Sequence, residues 1–394
     1  MNSKENNELY SAFKASQPEF AKIRHDLHQI PEIKFKEVKT AAYIAGYLRD
    51  IGYTVQTDFG GTTGIVALLD SGKPGKTVAI RADMDALPIC EKNTIEYKSQ
   101  HEGMMHACGH DGHMATVLMA AKVLGQNTDK FQGRVKFIFQ PAEEGGAGAK
   151  VLIEAGVLEN PKVDAIFGYH NMPIPKGDVV TRLGPLLASS DSFEIQIQGK
   201  GGHAAWPHLT HNPIIDGANI IQNLLTLISQ KNPTDAALIN IGAFHAGTVN
   251  NVVPDTAVLL GTLRTVSPTT RESLKQKITA IVENCCNSVD SKGTIKFSEV
   301  GYPSTVNAQK GVDIVLKSAR EIVAPEKVYL LEHPVIGSED FSFYLEKIPG
   351  CFFFVGIGHN KPSPHAPDYN FDDDILPTAA YVLTSSAIAF LNEK

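Results

Sequence analysis

Short apolar runs of strand length alternate with segments of helical period in both the first and last parts of this 394-residue chain. That alternation selects an α/β fold, in which functional side chains gather at the carboxyl ends of the strands. Gly64-Ile65-Val66-Ala67-Leu68-Leu69 and Thr77-Val78-Ala79-Ile80-Arg81-Ala82-Asp83 read as neighbouring strands, joined by the turn Ser71-Gly72-Lys73-Pro74-Gly75. A helix is expected over residues 114–124, a buried strand at Val135-Lys136-Phe137-Ile138-Phe139, a helix over 148–155 and a strand at Val163-Asp164-Ala165-Ile166-Phe167-Gly168. Glu143, Glu144 and His170 all fall at strand ends in this reading. Ahead of them, residues 7–52 carry apolar residues at helical spacing, broken by Pro31, with the second helix over 37–51. Gly75-Lys76-Thr77 resembles a phosphate loop only superficially, because that motif needs a glycine where Asp70 stands.

After Leu187 the pattern changes. Residues 189–198 alternate apolar and polar, as a half-buried strand does. Helices over 213–228 and 270–287 and strands at 237–241, 257–262 and 294–299 complete a smaller α+β insertion with an exposed sheet face. From Tyr302 the α/β alternation resumes, with a buried strand at Cys351-Phe352-Phe353-Phe354-Val355-Gly356 and a closing helix over 376–391. Length alone favours two domains. The expected architecture is a discontinuous domain of residues 1–187 and 300–394, interrupted by a lid of residues 188–299. No internal repeat, low-complexity tract or membrane-length apolar run is expected.

A formal net charge of -7 and a pI near 6.1, with no Lys/Arg cluster, exclude a nucleic-acid surface and a polybasic membrane anchor. The amino-terminal run Met1-Asn2-Ser3-Lys4-Glu5-Asn6-Asn7-Glu8 is polar and acidic and implies no export. Cys90, Cys108, Cys285, Cys286 and Cys351 are odd in number and scattered, as expected in a reducing cytoplasm. Cys285-Cys286 lies in a segment of helical period, residues 274–289, and reads as a half-buried helix feature.

The chemistry begins at His106-Ala107-Cys108-Gly109-His110-Asp111-Gly112-His113, where a thiol and an imidazole stand two positions apart. Thiolate, imidazole and carboxylate are the ligands that zinc-like ions take. Gly109 and Gly112 let the backbone turn closely around an ion. In Gln140-Pro141-Ala142-Glu143-Glu144-Gly145-Gly146, two acids either favour a helix amino terminus or divide metallohydrolase work, one coordinating while the other handles a water proton. His170 taken singly reads as a satisfied core histidine, and His365, between Pro364 and Pro367, is aimed by a stiff loop. Together they read as one metal site.

These runs, with Gly201-Gly202-His203-Ala204-Ala205, Pro207-His208, Asn251-Val252-Val253-Pro254-Asp255 and Gly337-Ser338-Glu339-Asp340-Phe341, resemble the amidohydrolase branch of the M20 peptidase family. That branch holds hippurate hydrolases, indole-acetyl-amino-acid hydrolases and N-acetyldiaminopimelate deacetylases. The resemblance runs from about Arg24 to Pro377. It implies a zinc-exopeptidase-like catalytic domain with a mixed central sheet flanked by helices, and a lid that serves for homodimerisation. It implies two divalent metal ions, Mn2+ or Zn2+, with Cys108 as the bridge and His110, Glu144, His170 and His365 completing the ligands. Glu143 would be general base and acid for a metal-held water that attacks the carbonyl of an N-acyl amino acid. His203 would reach the substrate or oxyanion, in the partner subunit's site, and Asn251 and Arg264 would hold the substrate carboxylate. A dipeptidase or carboxypeptidase using the same dinuclear site is the alternative. Many relatives carry a ligating histidine in a His-x-Asp motif and an aspartate bridge, whereas this chain reads Arg81-Ala82-Asp83-Met84-Asp85 and Cys108. Asp83 then either orients a ligand from behind or makes a surface or loop contact with Arg81.

Overall fold

The computed structural model describes residues 3–232, 235–287 and 291–393. Met1, Asn2 and Lys394 lie outside the described residues, as does Val289 at the end of the expected 274–289 helical segment. The chain forms two compact units. The larger comprises Met1–Leu186, Val306–His333 and Asp340–Lys394; the smaller comprises Leu187–Thr305 and Pro334–Glu339.

The larger unit is an α/β layer structure on a mixed eight-stranded sheet. In spatial order its strands are Thr54–Phe59, Gly64–Asp70, Arg134–Gln140, Thr77–Asp83, Ala165–Met172, Gly350–Gly356, Val179–Thr181 and Val328–Leu330. The Gly64–Asp70 and Thr77–Asp83 strands are therefore not neighbours, contrary to the expectation from their short turn. Arg134–Gln140 lies between them, antiparallel to the first and parallel to the second. A short connection does not oblige strands to pair when a later strand, buried on both faces, can fill the gap. Every residue of Thr77–Asp83 and of Gly350–Gly356 is buried. Helices Ser3–His28, His110–Gly125 and Leu376–Leu391 pack on one another, and the last two pack on Thr77–Asp83. The span Asp373–Leu391 is by length and composition capable of crossing a bilayer, but 89% of it is buried inside the protein, as a core helix requires.

Four adjacent strands, Arg134–Gln140, Thr77–Asp83, Ala165–Met172 and Gly350–Gly356, run parallel. Their carboxyl ends therefore lie on one edge, the edge where such sheets collect ligands.

In the smaller unit, strands Ala237–Ala246, Thr256–Thr265, Asp191–Gln198 and Lys292–Phe297 form an antiparallel sheet in that order. Along Asp191–Gln198, Phe193, Ile195 and Ile197 are buried while Ser192, Gln196 and Gln198 are exposed, so one face only is covered. Helices Pro213–Ser229 and Pro268–Asn287 cover it, with Ile220, Leu224, Leu274, Ile278 and Val282 in the shared core. Pro213 opens the first of these helices, and the Asn212 side chain caps it by accepting from the Ile214 N–H. Cys286 is buried on the second helix and Cys285 half-buried beside it.

Candidate metal centre

Six of the sequence-selected residues converge in the larger unit. The ligand atoms of Cys108, His110 and His170 lie within 4.8 Å of one another, and so do those of Cys108, Glu144 and His365. Cys108 is common to both groups, and His110, Glu143 and Glu144 form a third. Cys108 Sγ is 3.2 Å from His170 Nε2, and Glu144 Oε1 is 3.1 Å from His365 Nε2.

The imidazoles are aimed from behind. His110 Nδ1–H donates to the Asp85 carbonyl at 2.7 Å, and His170 Nδ1–H donates to the Asn171 carbonyl at 2.6 Å. In the neutral ring each contact leaves the Nε2 lone pair free, the tautomer that metal coordination requires. His110 Nε2 is buried with no hydrogen-bond partner and lies 3.8 Å from Asp83 Oδ2. An orphaned imidazole nitrogen facing thiol and carboxylate groups fits a divalent cation, since buried polar atoms are otherwise paired. Burial pushes the Cys108 thiol well above its usual range, and Glu144, Glu143 and Asp83 push it further. Burial opposes a charge on His110, but Asp83, Asp85 and Glu144 outweigh it and raise the ring to about 10. The carboxylates that contribute to both shifts are negative charge that a cation would balance.

The loop carrying the two glutamates is held in an unusual shape. Ala142 and Ala147 have φ of 57° and 50°, a left-handed region that costs a non-glycine residue on the order of 1 kcal/mol or more. Asp85 secures the turn by accepting from the Glu143 N–H at 2.8 Å and the Glu144 N–H at 2.9 Å, one carboxylate oxygen to each. Glu37, fully buried, accepts from the Ala142 N–H at 3.0 Å. Glu143 is itself 7% exposed, with the Asp340 N–H 3.4 Å from its Oε1. Asp340 accepts in turn from Arg81 and Gln140 at 2.8 Å each. Asp85, Glu37 and Asp340 escaped sequence reasoning. Asp85 left a signal as the second acid of an Asp-x-Asp pair at a strand end, and Asp340 as part of the run Gly337-Ser338-Glu339-Asp340-Phe341, whereas Glu37 left none.

His113 stands beside the cluster but is committed elsewhere. Its Nδ1 meets Asp83 at 2.6 Å and its Nε2 meets Asn171 Oδ1 at 2.8 Å. The Arg81–Asp83 contact exists at 2.6 Å, yet both residues are buried rather than on a surface or loop. Gly109, at φ 91°, makes the turn expected of it, and a Cβ there would strike Asn171. Gly112 serves a different purpose: it lies inside the helix, where a Cβ would come within 2.3 Å of Phe371.

In the smaller unit His203 and Asn251 lie together. Val252 pairs with His203 across a short ladder, and the Ala204 N–H donates to the Asn251 carbonyl at 3.1 Å. Arg264, half-buried, donates to Ser338 Oγ at 2.9 Å. It sits at the far end of the ten-residue Thr256–Thr265 strand from Asn251, a span on the order of 30 Å at strand rise. Within one smaller unit, His203 and Asn251 are thus not brought together with Arg264.

The Peptidase family M20/M25/M40 model matches residues 79–389. Thermostable carboxypeptidase 1 of Saccharolobus solfataricus is 38% identical, the match covering 94% of this chain and 95% of the relative. Hippurate hydrolase of Campylobacter jejuni is 37% identical over 95% and 97% of the two chains. Among solved structures, the Bacillus subtilis YXEP protein, a dinuclear metal binding peptidase from the M20 family, superposes with a TM-score of 0.83 at 34% identity, covering 96% of this chain and 99% of its own. The chain belongs to the peptidase family M20/M25/M40 and has the fold of its hydrolases.

Proposed function

We propose that this protein hydrolyses the amide bond of N-acyl amino acids at a site holding two divalent metal ions, Mn2+ or Zn2+. The observation that carries the reading is the sharing of Cys108 between two separate groups of ligand atoms, with Glu143 beside them. In this reading Cys108, shared by both groups, would hold the ions together with His110, Glu144, His170 and His365. The ions supply Lewis acidity and bring the pKa of bound water toward about 7. Glu143 takes the water proton and delivers it to the leaving amine, from a turn whose backbone N–H groups Asp85 holds. Asp85, through its carbonyl on His110 and its carboxylate on the glutamate turn, orients ligand and base together.

His203 meets the developing oxyanion, and Asn251 and Arg264 hold the substrate carboxylate. The distance along one strand between Asn251 and Arg264 supports a homodimer, formed through the smaller unit, in which His203 and Asn251 serve the partner's site. Five cysteines, none of them in a disulfide, support residence in a reducing cytoplasm. The similarity to hippurate hydrolase supports acyl-amino-acid substrates. The similarity to a thermostable carboxypeptidase supports a second reading, peptide hydrolysis at the same centre. Assaying metal-loaded protein on N-acetyl and N-benzoyl amino acids beside dipeptides separates them: turnover of dipeptides alone would overturn the first reading.

A further inference from the structure

Trp206 is the only tryptophan in the chain, and it is 56% exposed. Its exposure is built into the backbone rather than left to a loose loop. The Trp206 N–H donates to the His203 carbonyl at 2.9 Å, its own carbonyl accepts from the Leu209 N–H at 3.0 Å, and Pro207 fixes the next φ. The indole lies 5.0 Å from the His203 ring, at an interplanar angle of 34°. His203 Nδ1 accepts from the Ala205 N–H at 3.1 Å, so the neutral ring carries its hydrogen on Nε2 and donates from there.

We infer that Trp206 is the specificity-determining wall for the acyl group and selects aromatic acyl chains. This rests on the proposed function above, in which His203 donates to the oxygen of the scissile carbonyl. A carbonyl carbon has only two other substituents. The amide nitrogen leads to the amino acid, whose carboxylate needs polar donors, and the acyl substituent is left for the apolar surface beside His203. An indole face gains most from another flat ring, by offset stacking in addition to area removed from water. A benzoyl or indole-acetyl group therefore fits this wall better than an acetyl group, which is too small to cover it.

Two measurements on the full-length metal-loaded chain test this. The first is the ratio of kcat/KM for N-benzoyl over N-acetyl derivatives of one amino acid. Trp206→Ala should lower that ratio by about tenfold or more, the scale on which apolar pockets discriminate, and Trp206→Phe should restore most of it. The second is the fluorescence of this single tryptophan in Glu143→Gln protein titrated with N-benzoyl or N-acetyl amino acid. A saturable change with the benzoyl compound and none with the acetyl compound is expected. An unchanged ratio, or equal fluorescence responses, would overturn the inference. So would an unchanged ratio together with loss of dimer in sedimentation of Trp206→Ala, which would assign the indole to a contact with a second copy. Failure of the proposed function shows separately, as dipeptide turnover without acyl-amino-acid turnover, and the fluorescence titration still decides whether Trp206 meets an aromatic acyl group.

Discussion

His110 and His113 are three residues apart on one helix, both buried, yet their chemistry differs because of what each nitrogen faces. Both nitrogens of His113 are spent on Asp83 and Asn171, whereas His110 keeps Nε2 for the cluster. The Cys108-x-His110 spacing is enough to nominate the pair, while the separate role of His113 shows only in its contacts. The partners that aim them, Asp85 and Asn171, come from other segments, and no local spacing announces them. At this scale Glu143→Gln should retain bound metal and lose turnover by about 10²–10⁴-fold, the contribution of a general base, while Glu144→Ala should lose metal as well. Metal content by elemental analysis beside kcat checks both, and full activity in Glu143→Gln protein would sink the assignment. Asp85→Ala would strand two N–H groups of the glutamate turn, at about 1–3 kcal/mol each. A lowered urea midpoint together with a lowered kcat is expected, and a variant with wild-type kcat would show that the turn does not need its clamp.

At the scale of elements, the helix carrying His110 starts four residues before the expected Met114, because Gly109 in a left-handed conformation lets the chain enter helix directly from the metal loop. Periodicity could not show this, since a helix buried on nearly every side has no polar face to mark its register. The same helix is tied to Ser3–His28 by a buried charge cluster. Arg24 Nη1 is 3.2 Å and His28 Nδ1 2.8 Å from Asp111 Oδ2. Burial opposes a charge on His28, but Asp111 and Glu91 outweigh it and raise the ring to about 9 from 6.5. A raised folded-state value means that the contribution to stability is complete below 6.5 and is lost as pH rises through about 9. Urea midpoints measured across that window should fall, and should fall less in His28→Gln; equal slopes in the two proteins would refute the linkage. Gly112→Ala should cost about 1–3 kcal/mol by driving a methyl into Phe371, measurable by the same denaturation.

For the whole molecule, the proposed cations link folding to composition of the buffer. Metal at about a hundredfold over its Kd should stabilise the chain by roughly 2.7 kcal/mol, seen as a rise in Tm that chelation reverses and that Glu144→Ala lacks. An equal rise in the Glu144→Ala chain would place the stabilising ion elsewhere. The proposed dimer has its own test: Glu143→Gln and His203→Ala proteins, each inactive alone, should regain activity when mixed and allowed to exchange subunits. A mixture that stays inactive despite exchange would confine His203 to its own chain.

The sequence by itself determined the α/β class, the metal-binding residue types and the place of Glu143 beside Glu144, because apolar period and donor chemistry are local properties of the chain. Tertiary structure decided which strand lies between Gly64–Asp70 and Thr77–Asp83, and it joined Cys108 to two groups of ligands rather than one. It also made Asp85 the shared support of His110 and the glutamate turn. The physical reason is common to all three. Strand order, bridging and support each depend on atoms that meet across long loops, where the winning arrangement is the one that buries apolar surface while pairing most of the polar groups it buries.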